Sequence, residues 1–321
     1  MPSYANLNTS DWNYTDSDIA QKFLFFNVLK DGRIHVFMPP VVKIPPSSYT
    51  SPDVLIKDVD ISLDLSVRIF LPSCMSTNSA CTTSAGNKLP VFLYIHGGAY
   101  CTGSAFSEEY THFVADITVK ANVISVSIEY SLFPERKLPA CYEQVWAALQ
   151  WVTSHNNGSG PDPWINHHAD LHRIFISGNS VGGNMSHFLL SKVGSLGLPG
   201  DANVEGMILI HPYFAEGDEN WMYMCPTNKG PQDPRMKPAV EDLARIGCDK
   251  VLVILAENDR FGLYNIGEKY VEELKTSGWE GTVEMMVNKG KDHCFMFSDH
   301  LDPQAVAVRK RIVSFIYNQG S

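Results

Sequence analysis

Gly178-Asn179-Ser180-Val181-Gly182 stands between Arg173-Ile174-Phe175-Ile176-Ser177 and Gly183-Asn184-Met185-Ser186-His187-Phe188-Leu189-Leu190. The first flank is a short apolar run rich in β-branched residues, which predicts a buried strand; the second predicts a helix. A Gly-x-Ser-x-Gly at a strand-to-helix junction makes a cramped turn, and its glycines let the backbone lift the serine oxygen above the sheet. The bare pattern is common by chance. Its flanks and three further features along the chain give it meaning.

Outward from this junction, Val91-Phe92-Leu93-Tyr94-Ile95, Val123-Ile124-Ser125-Val126-Ser127-Ile128, Met207-Ile208-Leu209-Ile210, Val251-Leu252-Val253-Ile254-Leu255 and Val283-Glu284-Met285-Met286-Val287 are mostly continuous apolar runs. Such runs are expected of a parallel sheet covered on both faces. Helical patterns separate them. Cys141 to His155 carries Trp146, Leu149 and Trp151, and Gly267 to Ser277 carries Tyr270, Val271 and Leu274. A last helix opens with Asp302-Pro303 and sets Ala305, Val308, Ile312, Phe315 and Ile316 on one stripe. The alternation implies an α/β class, a doubly wound, mostly parallel sheet with its reactive loops at the carboxyl ends of the strands. Nearer the N-terminus, Val59-Asp60-Ile61-Ser62 and Leu65 to Leu71 alternate like half-buried strands, and Asp31-Gly32 between two apolar runs predicts a hairpin.

The 321 residues, 44% of them hydrophobic, suffice for a large core. A Pro- and Ser-rich connector spans 39–48, and a mobile surface loop is expected over 73–86. The net charge of -10 argues against nucleic acid or anionic membrane as partner. No basic-then-apolar leader opens the chain and no run reaches membrane-spanning length, so a cytoplasmic or nuclear protein is expected. Seven dispersed cysteines (74, 81, 101, 141, 225, 248 and 294) fit reduced thiols better than a disulfide framework, and lack metal spacing. The sequons at Asn8, Asn13, Asn157 and Asn184 are then idle. No metal or cofactor is expected.

A serine hydroxyl attacks only when a histidine takes its proton and a carboxylate holds that histidine's tautomer. Downstream of Ser180, the strand ending at Leu255-Ala256 runs into Glu257-Asn258-Asp259, and the next runs into Asn288-Lys289-Gly290-Lys291-Asp292-His293. Asp259 is preferred to Glu257 because it lies further along its loop. His293 is preferred to His300, which begins the following helical segment, and to His211, which precedes a proline. Developing negative charge on a substrate oxygen needs donors. His96-Gly97-Gly98-Ala99-Tyr100 follows the strand ending at Ile95, and the amides of Gly97, Gly98 and Ala99 can face that oxygen together with the amide of Val181.

With these elements in place, the chain resembles the hormone-sensitive-lipase-like branch of α/β-hydrolases, and more narrowly the plant carboxylesterases that include 2-hydroxyisoflavanone dehydratases and gibberellin receptors. Lys30-Asp31-Gly32-Arg33-Ile34, Lys57-Asp58-Val59-Asp60-Ile61, Leu138-Pro139-Ala140-Cys141-Tyr142-Glu143, His211-Pro212-Tyr213-Phe214 and Cys248-Asp249-Lys250-Val251-Leu252-Val253 carry the resemblance along nearly the whole chain. It departs from the family pattern at Asn179, usually Asp, and at Ser131 and Phe133. The stretch between Phe214 and Cys225 is short, which would leave Asp218, Glu219, Trp221 and Met222 near the entrance of a more open pocket.

The resemblance implies an α/β-hydrolase fold with an N-terminal helical cap: residues 1–44 over a catalytic domain of 45–321. Trp12, Tyr14, Phe23 and Phe25 would supply apolar wall, and Tyr100, Trp221 and Met222 would touch substrate. It implies a serine carboxylesterase acting on a small, largely apolar plant metabolite, as monomer or homodimer, through Ser180, Asp259 and His293. An alkaloid methyl ester that then loses its carboxyl, as for norfluorocurarine synthase, is one version. A lyase or cyclase using the same pocket, as in the dehydratases and the tabersonine and catharanthine synthases, is the alternative. The receptors lack the histidine, so His293 argues against that role.

Overall fold

The computed structural model describes residues 14–38, 41–75 and 88–317. In chain order, three short strands come first: β1 (Ile19–Lys22), β2 (Phe26–Leu29) and β3 (Ile34–Val36). The long hairpin β4 (Val54–Ser62) and β5 (Leu65–Pro72) follows, then β6 (Leu89–Ile95), α1 (Glu108–Lys120), β7 (Ile124–Glu129), α2 (Ala140–Thr153), α3 (Pro163–His168) and β8 (Ala169–Asn179). After α4 (Val181–Leu196) come β9 (Val204–Ile210), α5 (Glu219–Met224), α6 (Val240–Leu243), β10 (Lys250–Ala256), α7 (Leu263–Thr276), β11 (Thr282–Asn288), α8 (Phe295–Ser298) and α9 (Pro303–Tyr317).

Eight strands form one sheet in the order β4-β5-β7-β6-β8-β9-β10-β11. From β7 to β11 every pairing is parallel, and only the β4–β5 and β5–β7 pairings are antiparallel. The parallel strands are apolar on both sides because both sides are covered. On one face α1 and α9 pack Phe113, Val114, Val308 and Ile312 against Phe92, Phe175 and Leu252. On the other, α2, α4 and α7 pack Val145, Leu149, Met185, Leu189 and Val271 against Val91, Ile176 and Val253. The sheet order places the ends of β6 and β8 at its middle and that of β10 two strands beyond β8, beside the edge strand β11.

The N-terminal segment departs from the expected helical cap. Its described residues form a separate three-stranded antiparallel sheet, β1-β2-β3. Gly32 turns the hairpin at φ 88°, with the Leu29 amide donating to the Arg33 carbonyl at 2.8 Å. Phe26-Asn27-Val28-Leu29 packs as strand because its side chains are buried between the turn and the main domain, and that burial outweighs any helical tendency. Phe26 lies 5.1 Å from Phe133 and 5.5 Å from Tyr223, ring to ring, and the Leu24 amide donates to Asn220 Oδ1 at 2.7 Å. Trp12 lies outside the described residues.

The cysteines also depart in part from expectation. Cys74 is disulfide-bonded, whereas Cys101, Cys141, Cys225, Cys248 and Cys294 are free. Cys74 stands in the short turn Ser73–Met75 that leaves β5, not in the interior that shields Cys101, Cys141, Cys225 and Cys248. The cysteines therefore lend no support to a reducing compartment.

Candidate active site

β8 hands the chain to α4 at Ser180, whose φ of 54° and ψ of -122° lie outside the regions that side-chain-bearing residues favour. Backbone bonds hold the turn. The Ser180 amide donates to the Ile210 carbonyl and the Tyr213 amide donates to the Ser180 carbonyl, each at 2.9 Å. A Cβ at Gly182 would lie 2.1 Å from the Ile95 carbonyl oxygen, so only glycine lets α4 approach β6 this closely. Ser180 is 8% exposed and faces a small cavity of about 130 Å3.

Asp259 and His293 come together across 34 positions, with Asp259 Oδ2 2.6 Å from His293 Nδ1. Their side chains are 1% and 8% exposed. Asp259 Oδ1 is held in turn by the Phe261 amide at 2.9 Å, and Asp292 Oδ1 accepts from the His293 amide at 2.6 Å. Burial disfavours charge on His293, but the Cys294 sulfur and the Asp259 carboxylate outweigh it and raise its pKa above the ordinary histidine value. Ser180 and His293 line the same cavity. No hydrogen bond joins the Ser180 hydroxyl to the imidazole, a separation of the kind that unliganded sites show and substrate closes.

The rejected candidates sit elsewhere. Glu257 is engaged by Lys289 Nζ at 2.9 Å and the Gly290 amide at 2.8 Å. His300 lines a groove of about 560 Å3 between α1 and the residues after His293; that groove contains none of Ser180, Asp259 and His293. His211 stands behind the cavity, its Nδ1 accepting from the Cys294 amide at 2.8 Å.

The expected oxyanion donors divide. The Gly97 amide is already committed, donating to Asn179 Oδ1 at 2.9 Å and Tyr110 Oη at 3.2 Å. Gly97 is thus a positioning residue and not a free donor, because Asn179 draws its amide back toward β8. Gly98 and Ala99 line the cavity beside Ser180. Among the described residues, no hydrogen bond engages the amides of Gly98, Ala99 or Val181. Gly98 has φ 120°, and a Cβ there would lie 2.1 Å from the Thr102 carbonyl oxygen.

The expected substrate contacts do not line this cavity. Tyr100 follows two successive left-handed residues and is turned into the core, with its hydroxyl 2.8 Å from Tyr142 Oη and 3.1 Å from Asn184 Oδ1. Trp221, 1% exposed, donates from Nε1 to Tyr142 Oη at 3.2 Å and carries the Arg235 guanidinium 4.9 Å over its ring. Met222 is half-buried beside it on α5, the helix that occupies the stretch expected to be open. Asp218 caps that helix through the Asn220 and Trp221 amides. The cavity wall comes instead from Phe25, Met38, Tyr213 and Phe261, with Cys294 beside His293. Of these only Phe25 was expected as pocket wall from the sequence. Phe261 and Cys294 carry no signal beyond adjacency to the acid and the histidine.

Residues 92–221 match the family model of the α/β-hydrolase fold. The chain belongs to the plant carboxylesterase family. It is 37% identical to "Probable carboxylesterase 5" of Arabidopsis thaliana, over 94% of this chain and 99% of that one. It is 34% identical to the 2-hydroxyisoflavanone dehydratase of Glycyrrhiza echinata, over 90% and 93%. Among solved structures it shares its fold with fungal esterases from Rhizomucor miehei, with a TM-score of 0.66 and 24% identity over 84% of this chain and 85% of that one. No helix among the described residues is long and apolar enough to cross a membrane.

Proposed function

We propose that this chain is a carboxylic ester hydrolase working by serine acyl transfer, with Ser180 as nucleophile, His293 as base and Asp259 as its orienting acid. The observation that carries the reading is the 2.6 Å contact of Asp259 Oδ2 with His293 Nδ1 on a histidine sharing a cavity with an elbow serine. Asp259 fixes the proton on Nδ1 and leaves Nε2 to take the proton of Ser180. The Ser180 oxygen adds to the ester carbonyl, and the amides of Gly98, Ala99 and Val181 hold the oxyanion. His293 then gives its proton to the leaving alcohol, and water repeats the sequence to release the acid.

The cavity, about 130 Å3 and walled by Phe25, Met38 and Phe261, favours a small or slender apolar group on the half of the ester that enters it. The substrate class we assign is an ester of a largely apolar plant metabolite, an alkaloid methyl ester that later loses its carboxyl being one form. Residues 1–44 act as a cap over a catalytic domain of 45–321, and Phe25 supports this by reaching the cavity from the N-terminal sheet. Likeness to a dehydratase supports a second reading, elimination in the same pocket. Turnover of short-chain aryl esters that Ser180→Ala abolishes is the expected result. Activity on the true substrate that survives Ser180→Ala but not His293→Ala would overturn it in favour of elimination.

A further inference from the structure

The acyl-transfer reading leaves one nucleophile of the cavity unused. Cys294 lines the same cavity as Ser180, and its backbone φ of 54° turns the residue out of the line of the chain just after His293. Its Sγ lies within 4.8 Å of a ring nitrogen of both His293 and His211. Asn179 Nδ2 points at the same sulfur from 3.4 Å. A thiol beside the His293 imidazole and an amide donor has partners for its anionic form, and the residue lines the cavity. The other free thiols among the described residues differ, since Cys101, Cys141, Cys225 and Cys248 are buried among apolar side chains.

The same three side chains, His211, His293 and Cys294, have the chemistry of a soft metal site. His211 speaks against that use. Its Nδ1 accepts from the Cys294 amide and its Nε2 faces Asn288 Oδ1 at 3.2 Å, so both ring nitrogens are occupied.

We propose that Cys294 is a covalent modification site for small α,β-unsaturated carbonyl compounds, and that the thioether formed there silences ester cleavage. The second half rests on the esterase reading; the first does not. In the step itself the thiolate sulfur adds to the β-carbon and forms the C–S bond. The π pair of the C=C bond moves to the α-carbon as an enolate, and that carbon takes a proton from the His293 imidazolium or from water. Nothing is oxidised or reduced. The adduct then stands between Ser180 and His293 in a cavity with little spare room.

The groups facing the sulfur decide how its reactivity depends on pH. They are His293 and His211, the Tyr110 hydroxyl from α1 and the Tyr94 hydroxyl from β6, with the Asp259 carboxylate behind His293. Burial disfavours the thiolate, but the neighbouring His293 outweighs it and holds the thiol below its ordinary range.

The test treats the full chain with N-ethylmaleimide and follows intact mass, mapped peptides and turnover of an aryl acetate together. The expected result is one rapid adduct, on Cys294, with turnover lost in step. From pH 8 down to pH 6.5 its rate falls less than about twofold, where an ordinary thiol loses about 25-fold. Ser180→Ala keeps the adduct, and in Cys294→Ser whatever turnover remains is insensitive to the reagent. First labelling at another cysteine, or a rate that tracks an ordinary thiol, overturns the reactivity. Turnover that persists in fully labelled protein overturns the silencing. A chain with no turnover at all sinks the esterase reading and the silencing with it, while the peptide map still decides the reactivity.

Discussion

Asn179 Oδ1 accepts the Gly97 amide at 2.9 Å, joining the residue before Ser180 to the loop that follows β6. The same oxygen accepts the Tyr94 hydroxyl at 2.8 Å, and the amide nitrogen faces Tyr110 Oη at 3.3 Å. One buried side chain therefore fixes the loop of Gly98 and Ala99 relative to Ser180 before any substrate arrives, which is the condition for electrostatic stabilisation without reorganisation.

Asn179→Ala leaves the Gly97 amide and the Tyr94 hydroxyl without that acceptor, at a cost of about 1–3 kcal/mol for each unsatisfied group. Turnover is expected to drop in kcat with KM little changed, while Asn179→Asp, which keeps the acceptor, retains most of it. Steady-state kinetics beside urea unfolding separate the two effects. An Asn179→Ala protein with unchanged kcat would show that the tie does not matter.

Gly98→Ala tests the loop itself. The added methyl would meet the Thr102 carbonyl oxygen at 2.1 Å in a backbone conformation that disfavours any side chain. The loop must shift, and a loss of about 100- to 1000-fold in kcat is expected, as for removal of an oxyanion donor. Melting measured by circular dichroism should stay cooperative, which tells displacement of the loop from unfolding.

Asp259→Asn removes the charge from the 2.6 Å contact and lets His293 take the wrong tautomer. A loss of about 10,000-fold in kcat is expected, with the fold intact. Glu257→Gln, a change in the exposed pair with Lys289, should leave kcat within about twofold.

The pH profile follows from His293. It accepts a proton only when neutral, and burial is outweighed by Cys294 and Asp259 so that its pKa is raised. Activity should therefore rise with pH on a limb above the ordinary histidine value of about 6.5. Cys294→Ala removes one of the raising groups and should move the limb toward lower pH. Linkage runs in the opposite sense: a raised histidine stabilises the fold fully below its unfolded pKa, and that stability is lost as pH climbs through the folded value. Initial rates and urea midpoints across pH 5 to pH 10 read both.

Phe25→Ala enlarges the cavity from the side of the N-terminal sheet. Aryl butyrate should gain on aryl acetate in kcat/KM, since added room favours the longer acyl chain. An unchanged ratio would remove Phe25 from the substrate wall.

The doubly wound sheet was legible because continuous apolar runs alternate with helical patterns, and the placement of Ser180, Asp259 and His293 was legible because each stands in the turn or loop that follows such a run. What stayed hidden depends on contacts distant in sequence. The commitment of the Gly97 amide needs Asn179, 82 positions on. Tyr100 reads as a pocket residue until the left-handed backbone at Ala99 and Tyr100 is known. Trp221 reads as an entrance residue until Tyr142 and Arg235 are seen to enclose it. The hairpin at Asp31-Gly32 was visible locally, while the helical cap came only from resemblance.

The turn between β1 and β2 carries Phe25, while Ser180, Asp259 and His293, the proposed machinery, stand on turns and loops that follow strands of the large sheet. On the proposed mechanism, selectivity and chemistry reside in different stretches of backbone. Grafting residues 14–38 from one relative onto another should transplant acyl preference without retuning the reaction, giving such a lineage a cheap route to new substrates.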